Sequence, residues 1–132
     1  MKKIILSLLC GGSVFAAQLD AKFVRAVHLV ESGGRGGKIM GDNGRALGPL
    51  QIHKEYWKDA VSFDKSIGGS YSDCADLNYS IKIVTAYLNR YAKNAVANND
   101  YESLARCHNS GPLWSKNKSK TNSYWNKIKK HL

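Results

Sequence analysis

Cysteine is scarce, with three residues, Cys10, Cys74 and Cys107, in a chain of 132. So few exclude a fold stapled by many disulfides, and such scattered thiols do not make a zinc site. His28, His53, His108 and His131 show no metal-ligand spacing with acids or cysteines, so neither a metal nor a cofactor is expected. No apolar run approaches the roughly 20 residues that a membrane-spanning helix needs. The run at residues 4–15 is too short and wrongly flanked, so no stable membrane insertion is expected. Internal repeats, low-complexity blocks and long linkers are all absent, which leaves one domain. The glycines between Gly33 and Gly37 follow a helical pattern, whereas a phosphate-binding loop follows a strand. No aromatic-basic strand motif marks a specific nucleic-acid binder.

Acidic residues are also few, 10 against 20 Lys and Arg, for a formal net charge of +10. A basic chain is drawn to polyanions such as bacterial wall, acidic glycans, nucleic acid or anionic membrane. The charge is densest near the end, in Lys116, Lys118, Lys120, Lys127, Lys129 and Lys130. That cluster reads either as a solvated helix face or as a docking site, and charge alone names no partner.

Met1-Lys2-Lys3, the apolar run and the small residues Ala16 and Ala17 form the pattern of a secretory signal peptide. Cleavage after Ala16 would export residues 17–132 to the periplasm or the medium. A domain of that size buries roughly two-thirds of its unfolded surface. It also retains an even pair, Cys74 and Cys107, which in an exported protein suggests a disulfide, with two free buried thiols as the alternative.

Leu19, Phe23, Ala26, Val27 and Val30 follow helical spacing and predict a helix over 19–31. Gly33 and Gly34 end it. Residues 35–52 are glycine-rich, and Asn43-Gly44 is a favoured hairpin turn, so a small β-hairpin is expected from about Lys38. Short helices are expected over 54–61, 101–108 and 123–130, with a loop over 62–72. Leu77, Ile81, Val84, Leu88 and Tyr91 mark a long central helix. The sum is an α+β domain, predominantly helical.

Glu31 lies four residues after Val27 and eight after Phe23, so it extends the apolar stripe instead of facing water. Burial disfavours its charged form and suits it to protonate a leaving-group oxygen. The plainer reading is a helix-end carboxylate paired with Arg35. Asp42 follows at the hairpin turn, where folding back could set it across a groove from Glu31. Two carboxylates in different surroundings are the basic requirement of glycosidase chemistry, although Asp-Asn-Gly is also ordinary turn chemistry.

Three segments together resemble the lysozyme superfamily, and most closely the invertebrate-type (destabilase) lysozymes. They are Glu31-Ser32-Gly33-Gly34; Gly48-Pro49-Leu50-Gln51-Ile52 with Tyr56-Trp57; and Ala105-Arg106-Cys107-His108-Asn109-Ser110-Gly111-Pro112. Goose-type lysozymes and lytic transglycosylases share looser versions. The resemblance implies a lysozyme-like fold with the hairpin beside an active-site groove and Glu31 as the catalytic acid. It implies Asp42 as the second carboxylate, with Ser32, Gln51, Tyr56, His108 and Asn109 lining the sugar groove. The implied partner is peptidoglycan, with chitin-like glycans as a second candidate, and the protein is expected to be a monomer. This chain departs from the family in its cysteine content, with Leu47 and Ala60 where relatives carry cysteine. The expected activity is hydrolysis of β-1,4 bonds in peptidoglycan. The alternatives are a lytic transglycosylase using Glu31 alone and a non-catalytic wall- or polyanion-binding module.

Overall fold

The computed structural model describes residues 17–132. The expected signal peptide, with Cys10, lies outside the described residues. Helix α1 (Ala21–Ser32) starts two residues later than the apolar pattern suggested, because Asp20 caps it. The Asp20 carboxylate accepts the Lys22 amide at 3.3 Å, satisfying one of the orphan donors of a helix start. It also accepts the Tyr101 hydroxyl, which ties the start of α1 to the start of α5 (Tyr101–Ser110). Gly33, in the left-handed conformation at φ 68°, closes α1: its amide donates to the Leu29 carbonyl at 2.9 Å and the Gly34 amide to the His28 carbonyl at 3.1 Å.

The expected hairpin is part of a three-stranded antiparallel sheet, β1 (Met40–Gly41), β2 (Ala46–Leu47) and β3 (Ile52–His53), ordered β1-β2-β3. Its register pairs Gly41 with Ala46, leaving residues 42–45 as the turn. Asp42 and Asn43 both take left-handed backbone angles there, so the turn is wider than the two-residue Asn-Gly form. The β2–β3 connection folds tightly over Gly48 at φ 85°. A Cβ at that position would overlap the Cys74 carbonyl, so glycine is required both by the angle and by the contact.

Helix α2 (Lys54–Phe63) follows β3 directly, and two short 3-10 turns (Lys65–Ile67, Tyr71–Ala75) occupy much of the expected loop. Helix α3 (Leu77–Tyr91) is the central element, with Ile83, Val84 and Leu88 at most 2% exposed. Helix α2, a short α4 (Lys93–Asn98) and α5 pack against it. A further 3-10 turn (Trp114–Lys116) leads into α6 (Lys118–Lys129), which lies on α5 and reaches α1. Phe23, Leu50, Ile52, Leu104 and Ile128 bring α1, the sheet region, α5 and α6 into one core. Each such burial contributes about 1.5–3 kcal/mol.

Helix α6 begins five residues before the expected start. Its first turn is polar, and a tertiary contact holds it. Arg106, 6% exposed, donates Nη1 to the Lys118 carbonyl and to the Thr121 and Asn122 side chains, each within 2.9 Å. Its Nε pairs with Glu102 at 2.9 Å.

The expected Cys74–Cys107 disulfide is absent: both are free, buried thiols. Cys74 lies in the 3-10 turn beneath the sheet, near Tyr71 and Tyr79, whereas Cys107 lies on α5 near Tyr56 and Tyr87. The two belong to different parts of the core. Burial pushes each thiol up to about 12, so neither has reactive thiolate character.

Candidate active-site groove

A groove of about 570 Å³ opens between the end of α1, the sheet, the start of α2 and the end of α5. Glu31 enters it from the last turn of α1, and Asp42, Gln51 and His53 from the sheet side. Tyr56 and Tyr87 form part of the lining, their rings stacked at 3.6 Å between centroids. His108 and Asn109 complete it from α5. Five stretches of sequence thus meet at one concave place, the usual form of a binding groove.

The Glu31 side chain is 19% exposed and held by side chains far away in sequence. The Tyr124 hydroxyl donates to Glu31 Oε2 at 2.8 Å. His108 Nε2 lies 3.2 Å from the same oxygen, and its Nδ1 lies 2.8 Å from the Tyr56 hydroxyl. Burial, and then the neighbouring negative groups including Glu31, push the Tyr56 and Tyr124 phenols well above their ordinary value. Both phenols therefore keep their protons and act as donors. With Tyr56 donating to Nδ1, the neutral His108 ring is assigned the tautomer that carries its proton on Nε2 and donates to Glu31. Both donors converge on Oε2, and among the described residues none is bonded to Oε1. A proton held by this acid therefore sits on Oε1. The expected Arg35 pairing does not form: Arg35 donates Nε to the Ser32 carbonyl at 2.8 Å.

Asp42 stands at the sheet turn with its side chain 45% exposed. Its Oδ1 accepts Arg45 Nη2 at 3.0 Å, and its Oδ2 lies 3.1 Å from His53 Nε2. Asp42 is thus both a turn residue and a groove residue.

Of the expected lining residues, Gln51, Tyr56, His108 and Asn109 face the groove, but Ser32 does not. Ser32 is 4% exposed and donates to the His28 and Arg35 carbonyls, fastening the end of α1. One position further along the helix than Glu31, it points to a different side. Gln51 gives both its amide donor bonds to backbone, the Ile39 and Gly48 carbonyls at 3.1 and 2.9 Å, so it braces the sheet loop as well as lining the groove. Trp57, Trp114 and Trp125 pack against the core and are absent from the lining.

Three residues of the site carried no functional signal in sequence. Tyr124 falls in the same helical stripe as Thr121 and Ile128, and so reads as core. Tyr87 likewise belongs to the buried stretch of α3. His53 sits beside the first residue of α2, and its pairing with Asp42 depends on the β2–β3 fold. Among the described residues no group of three or more His, Cys, Asp or Glu is placed to hold a metal ion. No described helix is long and apolar enough to cross a membrane.

The chain is matched over residues 24–131 by the family model described as Destabilase. Lysozyme 1 of Crassostrea virginica is 35% identical over 119 residues, covering 89% of this chain. The chain spans 62% of that protein's length. The lysozyme of Magallana gigas is 31% identical, with 97% of this chain and 93% of that protein covered. Among solved structures, Tapes japonica lysozyme superposes with a TM-score of 0.70 at 33% identity, over 88% of this chain and 94% of that one. Nearly the whole described chain thus shares both sequence and fold with these proteins, and it belongs to the destabilase family of invertebrate-type lysozymes.

Proposed function

We propose that this protein is an exported glycoside hydrolase that cleaves the β-1,4 bonds of peptidoglycan, with Glu31 as general acid. One observation carries the reading. Two donors pin Oε2 of Glu31, leaving Oε1 without a bonded partner among the described residues, and Glu31 lines a groove shared with a second carboxylate, Asp42. Protonated on Oε1, Glu31 gives its proton to the glycosidic oxygen as the bond to the sugar's anomeric carbon breaks. The charge left on Oε2 stays under the Tyr124 hydroxyl and the His108 Nε2–H, which need not reorganise during the step. Asp42 faces the oxocarbenium-like centre and stabilises or captures it, after which Glu31 takes a proton from the incoming water. Export follows from the signal-like start of the sequence, and the chain acts as a monomer.

The testing variant is Glu31→Gln, which keeps the side-chain shape but cannot deliver a proton. It abolishes lysis of peptidoglycan while still sedimenting with it. Lysis that survives the substitution overturns the proposal, and loss of sedimentation along with lysis shows that the carboxylate serves binding.

One observation favours a second reading. Both oxygens of Asp42 are occupied, by Arg45 and His53, in the described structure. If Asp42 stays so engaged, Glu31 acts first as acid and then as base, and the sugar's own hydroxyl closes an anhydro ring. Mass spectrometry of digested wall separates the two, because only the second reaction leaves anhydro-muramic ends.

A further inference from the structure

The positive charge is concentrated in one part of the molecule. Residues 103–132 contain seven Lys and Arg and no Asp or Glu, so they hold seven of the chain's ten net charges. Of the seven, Arg106 is buried and paired with Glu102. The other six, Lys116, Lys118, Lys120, Lys127, Lys129 and Lys130, are exposed. Among the described residues none of these six lies in an ion pair. Lys118 lies over the Trp114 ring and Lys129 over the Trp125 ring, at 5.9 and 5.7 Å, so the first is partly held by the preceding 3-10 turn and the second by its own helix. Lys120, Lys127 and the C-cap residue Lys130 have no such ring contact among the described residues and fall at i, i+7 and i+10, on one side of α6.

We infer that this outer face of α6 is a docking surface for a linear anionic polymer carried on the cell wall, of the polyphosphodiester class. A repeat of single charges suits lysine, a compact hydrated point charge, whereas a fixed bidentate acid would call for arginine. The ladder also runs along a helix for about 15 Å, long enough to meet several successive charges on one strand. A bilayer fits less well. The apolar side of α6, with Thr121, Tyr124, Trp125 and Ile128, is turned into the protein, and no large apolar residue within α6 is exposed to enter a headgroup layer. Tyr124, which reaches Glu31, stands one turn from both Lys120 and Lys127, so the ladder flanks the stripe that carries it, but none of the three lysines lines the groove, which a polymer held there leaves open.

The test compares the parent with Lys120→Gln/Lys127→Gln/Lys130→Gln and with a control of equal net charge, Lys65→Gln/Lys82→Gln/Lys93→Gln. The probes are soluble poly(glycerol phosphate) and phosphatidylglycerol vesicles, each titrated at several salt concentrations. The α6 triple variant binds the polymer at least 10-fold more weakly, and its log K against log salt slope flattens by about two units. The control variant loses much less, and all three proteins digest wall stripped of anionic polymer at the same rate. Equal losses in the two triple variants overturn the inference in favour of net charge alone. Unchanged polymer binding by the α6 variant overturns it as well. Tighter binding to the vesicles than to the polymer, lost in the same variant, replaces the polymer with a membrane. The binding readouts do not depend on Glu31, so Glu31→Gln serves as a parent background in which docking is measured without lysis.

Discussion

Tyr124, on the last helix, donates its hydroxyl to Oε2 of Glu31, on the first helix, at 2.8 Å. The contact spans 93 residues of sequence and joins the two ends of the described domain at the acid. A hydrogen bond to a charged group contributes about 1.5–3 kcal/mol. If that stabilisation is expressed as charge develops on Glu31, Tyr124→Phe lowers kcat about 10- to 100-fold. KM changes little, since Tyr124 does not line the groove. Steady-state kinetics on peptidoglycan check this, and a rise in KM at constant kcat would show that Tyr124 serves substrate binding instead.

Asp42→Asn tests the second carboxylate. Its ion pairs with Arg45 and His53 are exposed, so their loss changes stability by less than about 1 kcal/mol. A carboxylate acting in the reaction is worth far more, and kcat is expected to fall at least about 100-fold. Thermal melting and lysis measured on the same preparation separate the two effects. Near-normal lysis by the variant moves the chemistry to Glu31 alone.

Arg106 links stability to the site. Replacing it with Leu removes the donor that Glu102, Thr121 and Asn122 share and leaves the Lys118 carbonyl with the Thr121 hydroxyl alone among its side-chain donors. Glu102, half exposed, is left to water, whereas the buried Thr121 hydroxyl loses its donor, and the loss costs about 1–3 kcal/mol. Helix α6 loosens at its first turn, and Tyr124 loses its fixed place over Glu31. Both the melting temperature and kcat are expected to fall, whereas Tyr124→Phe lowers kcat with little change in melting.

Gly48→Ala strains a backbone at φ 85° and drives a Cβ into the Cys74 carbonyl. The two effects together cost about 2–4 kcal/mol. Urea unfolding should show a lower midpoint at an unchanged slope. A midpoint within error of the parent would mean that the β2–β3 connection shifts freely.

Cys74 and Cys107 predict a redox-independent but alkali-sensitive fold. Reductant leaves the melting temperature unchanged, and thiol reagents label the protein only after unfolding. Burial raises both thiols from 9.0 to about 12, so folding favours their protonated forms. The stability they lend is complete below pH 9 and is lost as pH rises from 9 to about 12. Denaturant titrations across that window measure the loss, and Cys74→Ser/Cys107→Ser should flatten it.

Wherever local chemistry sufficed, the sequence by itself determined the outcome. The apolar stripe of Phe23, Ala26 and Val27 determined α1 and directed Glu31 inward, because helical geometry alone decides which residues share a face. The spacing of Leu77 through Tyr91 likewise determined α3 as the central helix, and the Asn43-Gly44 turn placed a hairpin ahead of α2. The motif order Glu31, Gln51, Tyr56, His108 located the groove before any geometry was known.

Only the tertiary structure decided the rest. Helix α4 lacks a long amphipathic pattern, and the first turn of α6 is polar, so each depends on packing or on Arg106 for its existence. Ser32 left the groove and the cysteines stayed apart, because both outcomes hinge on which side of an element faces which neighbour. The hydrogen bonds on Glu31 come from residues 77 and 93 positions away. Contacts of that range have no signature in local periodicity. Glu31 as the candidate acid was legible in the chain, but which of its oxygens receives the two donors was set by the meeting of α1, α5 and α6.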